Sequence, residues 1–188
     1  PLLKAREASI FAIEYLAMAY AQLGQLDEAK VQINALLKVI PSTSVSYYRV
    51  YYAHHKREAD RVHLLDALRK AGLPEWPFGY EGRAEDRLDG SALKTLALGR
   101  TWVGHNQAGL RFIQEMGADG TVAYRSAQSF FTGNASVQGD MLCLKSAAHF
   151  MGRKHCGYVY RNPGGTLAEN NEYVNVDPLA LMFFSPVR

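Results

Sequence analysis

The chain has 188 residues, of which 48% are hydrophobic and 21% charged, with a formal net charge of +3. Such a composition excludes a chain that is mainly disordered, which needs low hydrophobicity and high net charge. No apolar stretch approaches the roughly 18 residues of a membrane-spanning helix, and the charge is too small to name nucleic acid as a partner. No basic segment followed by a clean apolar run opens the chain, so a cytoplasmic location is expected rather than a secreted one. The first residue is Pro1, which is expected of a piece cut from a longer polypeptide.

The texture changes along the chain. Residues 1–90 carry as many basic as acidic groups, whereas residues 91–188 carry nine against six. The fold class expected is α+β, with helical hairpins over 1–72, a connector over 73–90 and a small antiparallel β-barrel or sandwich over 91–188.

A first helix is predicted over 7–22, with Ile13, Leu16, Ala17 and Tyr20 at three- and four-residue steps on its apolar face. Gly24 follows, suited to a helix C-terminus because it tolerates positive φ. Asp27 stands at the start of a second helix, which presents Ala29, Ile33, Leu36 and Leu37 and stops at Pro41. The run A-Y-A-Q-L-G-Q-L-D-E-A at 19–29, with Pro41 twelve residues on, resembles a tetratricopeptide repeat. The matching residues are Leu16, Ala17, Tyr20, Gly24, Asp27, Glu28, Ala29, Leu36 and Pro41, while Ile13 stands where that family usually has Trp. A second, degenerate pair is predicted over 45–55 and 58–71. One repeat cannot bury its face alone, so helix one is expected to meet another protein surface. Glu14, Met18 and Ala21 are the candidate contact residues of a groove.

Pro74, Pro77, Gly79 and Gly82 break any helix or strand in the connector. Its Trp76, Phe78 and Tyr80 argue for a segment that packs down rather than a loose tether. Ser91 is a candidate cap for a short helix over 92–98. Eight strands are then predicted over 101–105, 110–116, 121–127, 129–132, 141–146, 155–161, 173–177 and 181–184. Eight short strands joined by Gly- and Asn-rich turns suggest a closed antiparallel sheet.

The runs T-W-V-G at 101–104, A-D-G-T-V at 118–122, G-D-M-L-C at 139–143 and C-G-Y-V-Y-R at 156–161 are similar to small lipocalin-like bacterial β-domains. The helical repeats ending in L-R-K-A-G-L-P-E at 68–75 and continuing through W-P-F-G-Y-E-G at 76–82 resemble the C-terminal region of bacterial class III adenylate/guanylate cyclases. That resemblance implies a non-catalytic regulatory region of a cAMP-producing lyase. The F-x-D-I/V-x-G segment that carries the cyclase metal-binding aspartates has no counterpart here, so no catalytic residue is transferred.

Cys143 and Cys156 lie on consecutive predicted strands. They are open to three readings: two buried thiols, a disulfide, or half of a metal site. His149, His155 and Cys156 match no closed zinc pattern, and no metal or other cofactor is expected. Asp119 and Asp140 fit turns. The glycines at 164–165 lack the lysine and following helix of a phosphate loop. Arg111, Arg125, Arg153, Lys154 and Arg161 alternate with Phe112, Tyr124, Tyr158 and Tyr160, a pattern that puts aromatics in a core and charges in solvent more readily than it makes a nucleic-acid surface.

Two functions compete. In the first, the β-domain caps the helical array, which associates with itself or with an upstream cyclase domain. In the second, the barrel is a sensor that holds a small apolar ligand, for which an internal cavity of roughly 300 Å³ or more is expected. An enzyme in its own right lacks a recognisable nucleophile–base pair.

Overall fold

The computed structural model describes residues 10–165 and 170–187. The chain divides into two compact units, Pro1–Tyr80 and Glu81–Arg188. The division falls inside the predicted connector, and each half of that connector folds with its own neighbour. Pro74 and Glu75 carbonyls accept from Val45 and Ser46 N–H, and Phe78 N–H donates to Pro41. Beyond the break, Leu88 N–H donates to the Val159 carbonyl, and Arg87 bridges to Tyr160.

The first unit holds α1 (Ile10–Gln22), α2 (Leu26–Val39), α3 (Val45–Tyr51) and α4 (Glu58–Lys70). Gly24 at φ +77° makes the α1–α2 turn, and Gln25 N–H closes it on the Tyr20 carbonyl at 2.9 Å. Ala17 and Ala29 are fully buried, as small residues are where helices approach closely. Ser44 caps α3 by accepting from Tyr47 N–H at 3.2 Å. The predicted third helix tightens into a 3₁₀ turn over Tyr52–His54. Glu14, Met18 and Ala21, expected on an open groove, lie inside this unit at 1%, 5% and 4% exposure. The Glu14 carboxylate accepts from the hydroxyls of Tyr48 (2.7 Å) and Tyr52. A buried carboxylate needs such donors, so Glu14 serves the core and forms no part of a groove.

The second unit opens with α5 (Gly90–Ala97), capped by Asp89 rather than Ser91. Its carboxylate accepts from Ser91 and Ala92 N–H, both at 2.9 Å. Eight strands follow: β1 (Arg100–Asn106), β2 (Arg111–Met116), β3 (Thr121–Ser126), β4 (Phe130–Gln138), β5 (Met141–Lys145), β6 (His155–Arg161), β7 (Tyr173–Val176) and β8 (Leu181–Pro186). Each pairs antiparallel with the next and β8 returns to β1, giving a closed barrel. β4 outruns its prediction because Gly133 is a strand residue. A Cβ there would meet the Lys145 carbonyl at 2.5 Å, so the glycine permits close strand approach instead of ending the strand. The turn comes later, at Gly139 (φ +57°) and Asp140.

Alternation sorts the side chains. Trp102, Phe112, Tyr124, Val159 and Phe184 fill the interior, while Arg111 and Arg125 face out. On β2 and β3 the interleaved arginines and aromatics are thus parted onto two faces, whereas Tyr158 and Tyr160 of β6 alternate with the inward Val159 and lie on the outer face, with the Arg87 guanidinium 4.9 Å from the Tyr158 ring. At the barrel end holding the β4–β5 turn, Asp140 Oδ1 accepts from Gly90 N–H at 2.9 Å and fixes the start of α5. Leu88, Leu93 and Ala97 bury against the barrel core, and Trp102 Nε1–H donates to the Leu96 carbonyl at 2.9 Å. Burying Leu93 alone contributes about 1.5–3 kcal/mol. One end of the barrel is therefore plugged.

Candidate functional site

The β1–β2, β3–β4, β5–β6 and β7–β8 connections share the opposite end, as an up-and-down barrel requires. Here the interior changes character. Trp102, Val159 and Phe184 point inward and fill the core; Gln114 and Asn175 pair with Trp102 and Val159 and are buried inward polar positions at mid-barrel, and His155 and Asp177, at the start of β6 and just after β7, are buried inward positions at the other end. Gln114, His155 and Asp177 line a chamber of about 190 Å³, which reaches the exposed Gln128 and Ser129 at its rim. A deeper void of about 20 Å³ adjoins His155, Asn175 and Gln114. That is space for one water, which needs about 10–15 Å³ and two to four polar partners.

Each polar group has a local origin. His155 opens β6 opposite Leu144 and is 2% exposed. Asp177 follows β7, where its Oδ1 accepts from Leu179 N–H (2.7 Å) and Ala180 N–H (3.1 Å) and so shapes the β7–β8 turn. His149 arrives on the β5–β6 connection, its ring 4.4 Å from Phe131 edge-to-face and 5.8 Å from His155. Tyr124 and Phe131 stack at 4.7 Å and form an aromatic wall. Burial pushes His149 below the usual imidazole range, and His155 adds to that, against an opposing pull from Asp177. Burial also raises the Tyr124 phenol, which therefore stays protonated.

These groups are incompletely satisfied. Both ring nitrogens of His155, Nδ1 of His149 and Oδ1 of Asn175 are buried without a hydrogen-bond partner. Leaving such an atom unpaired costs about 1–3 kcal/mol, so each calls for a partner such as a bound water, an ion or a ligand. The chamber thus carries buried polar groups at its floor within a lining that is mostly apolar. It is also smaller than the expected 300 Å³.

The larger hollow, about 1000 Å³, is a trough on the outer face of β1–β3 lined by Val103, Ile113, Arg111 and Arg125. Among the described residues that line it, none carries a buried polar atom without a partner. Among the described residues no group of three or more His, Cys, Asp or Glu is placed to hold a metal.

Cys143 and Cys156 are partners in the β5–β6 register and form a disulfide, with Cα atoms 4.0 Å apart. The readings as free thiols and as a metal half-site give way to the bridge, because antiparallel pairing sets the two cysteines directly opposite one another. Asp119 accepts from the N–H and hydroxyl of Thr121 in the β2–β3 turn, which holds its carboxyl below the ordinary range. The glycine loop is described as far as a short 3₁₀ turn at Pro163–Gly165; residues 166–169 lie outside the described residues.

His149 and His155 are the functional candidates that sequence reasoning passed over. Their spacing matches no closed zinc pattern, and they read as solvated or packed histidines. The strand alternation that placed residue 155 on the inward face with Leu144 was the signal available. The chain matches no protein-family model, no curated protein and no solved structure. No helix among the described residues is long and apolar enough to cross a membrane.

Proposed function

We propose that the barrel is a small-molecule-binding module whose site is the chamber at the end opposite α5. The observation that carries this reading is His155, 2% exposed, with both ring nitrogens unpartnered beside a cavity of about 190 Å³. An eight-stranded barrel either fills its interior with side chains or holds one small ligand. Here the plugged end is filled and the other is left open and polar. The volume lies between the roughly 150 Å³ that admits benzene and the roughly 300 Å³ of a drug-sized pocket. The occupant is therefore about one ring in size.

The likeness to lipocalin-like domains belongs to this reading. The likeness to cyclase C-terminal regions, with the regulatory and cAMP roles it implies, finds no support in the comparisons, and the binding reading does not draw on it. The tetratricopeptide likeness of the helical unit stands likewise as a proposal, favoured by the buried Ala17 and Ala29 at the α1–α2 approach.

The test is a titration of the full chain with benzyl alcohol, against an Ala180→Leu variant that narrows the chamber at the β7–β8 turn. Saturable binding in the parent that the variant abolishes is the expected result. Binding that never saturates, or that the variant leaves intact, overturns the reading.

A further inference from the structure

The electrostatics of the chamber narrow its ligand further, on the footing that the chamber is a binding site at all. We infer that it selects a small protonated amine carrying a single ring. Asp177 is the only formally charged residue among those lining the chamber; no Lys or Arg faces it among the described residues. A buried carboxylate without a cationic neighbour is a costly arrangement that a cationic ligand would relieve. Oδ1 of Asp177 is already committed to two backbone N–H groups, and Oδ2 holds the remaining acceptor capacity.

The unpaired atoms point the same way. His155 lines the chamber with both ring nitrogens unpartnered, and an imidazole that carries one ring hydrogen keeps its other nitrogen as an acceptor. With Oδ2 of Asp177, that gives the N–H groups of a ligand two acceptors on the chamber wall. An ammonium supplies such groups, and an anion supplies none. His149 stays neutral because burial disfavours its charged form, so it does not compete for Asp177 as a resident cation. The stacked Tyr124 and Phe131 offer a wall for the ring, with aromatic faces that also attract positive charge.

Four probes of nearly equal size separate the possibilities: toluene, benzyl alcohol, benzylamine and benzoate, each titrated into the full chain at pH 7 and followed by NMR. Benzylamine is expected to bind about ten- to hundredfold more tightly than benzyl alcohol, the range of a hydrogen bond to a charged group. Benzoate is expected to bind weakest. Asp177→Asn keeps an Oδ1 for the turn; it should abolish the amine preference, so that benzylamine binds no more tightly than benzyl alcohol to the same variant. Equal or tighter binding of toluene, benzyl alcohol or benzoate overturns the amine inference while the chamber reading stands. An amine preference that survives in Asp177→Asn does the same. Failure of all four probes overturns both. Should the variant fail to fold, the order of the four probes on the parent chain still decides.

Discussion

The Cys143–Cys156 bridge gives a prediction with a calculable size. The two cysteines are 13 positions apart, so the bridge closes a loop of about 14 residues. In the chain-entropy account, a loop of that length restricts the unfolded ensemble by about 3 kcal/mol at 25 °C. Cys143 is 1% exposed, and a reduced thiol there still packs as a small hydrophobe. Loss of packing should therefore add little to the entropic effect. For a unit of about 100 residues, each kcal/mol shifts the melting midpoint by at least about 4 °C. Reduction should accordingly lower the barrel's midpoint by about 12 °C or more. Trp102 is buried against Phe184 at 3.8 Å, so its fluorescence reports barrel unfolding in a Trp76→Phe background that has no other indole. A Cys143→Ala/Cys156→Ala variant should melt with the reduced protein. Midpoints that coincide with and without reductant would refute the reasoning, as would two titratable thiols in the native, unreduced protein. The thiol state also bears on the compartment, since structural disulfides persist in oxidising surroundings and are rare in the cytosol.

Gly104 sits at the closure of β1 on β8, where a Cβ would overlap the Phe183 carbonyl and approach Phe184 Cα at 2.8 Å. Gly104→Ala should destabilise the barrel by about 1–3 kcal/mol or more in urea unfolding; a change under about 0.5 kcal/mol would count against the seam. Trp102→Phe strands the Leu96 carbonyl and leaves a void beside Phe184, with an expected loss of about 2–4 kcal/mol in the same assay. Glu14 tests the helical unit. Burial raises its pKa against the opposing effect of the tyrosine hydroxyls, so the folded state holds its proton more tightly than the unfolded state. Its contribution is thus greatest below the unfolded value of 4.5 and falls as pH rises through the folded value. The difference in stability between the parent and Glu14→Gln, measured from pH 4 upward, should change in that sense; a flat difference would contradict it.

Much of the barrel was legible because strand alternation is a local signal. All eight strands fall where hydrophobic period and turn residues place them, and only β4 is seriously cut short. The predicted strand ends at 132, before Gly133, but the need for a glycine at 133 arises from Lys145, on another strand. The cap of α5 was misplaced by two residues because Ser91 and Asp89 are both good caps, and only geometry distinguishes them. The error over Glu14 is of another kind. A carboxylate on a helix reads as solvated, and the tyrosines that bury it come from α3 and the following turn, 34 and 38 residues away. The chamber was hidden for the same reason. His149, His155 and Asp177 share no motif and meet only because barrel closure brings the β5–β6 connection, the start of β6 and the end of β7 together. The disulfide lay between these cases, since hairpin pairing suggested it without excluding two thiols.

The chamber is tested most directly by the methyl resonances of methionine. The chain has five methionines, of which Met182 lines the chamber and Met18 is buried in the helical unit. With methyl-labelled full chain, titration with benzylamine should move the Met182 resonance along a saturable curve while Met18 and the exposed Met151 stay fixed. A Met182 resonance that does not respond while benzylamine binds elsewhere, or one that moves no more than Met18, would contradict a binding site inside the barrel.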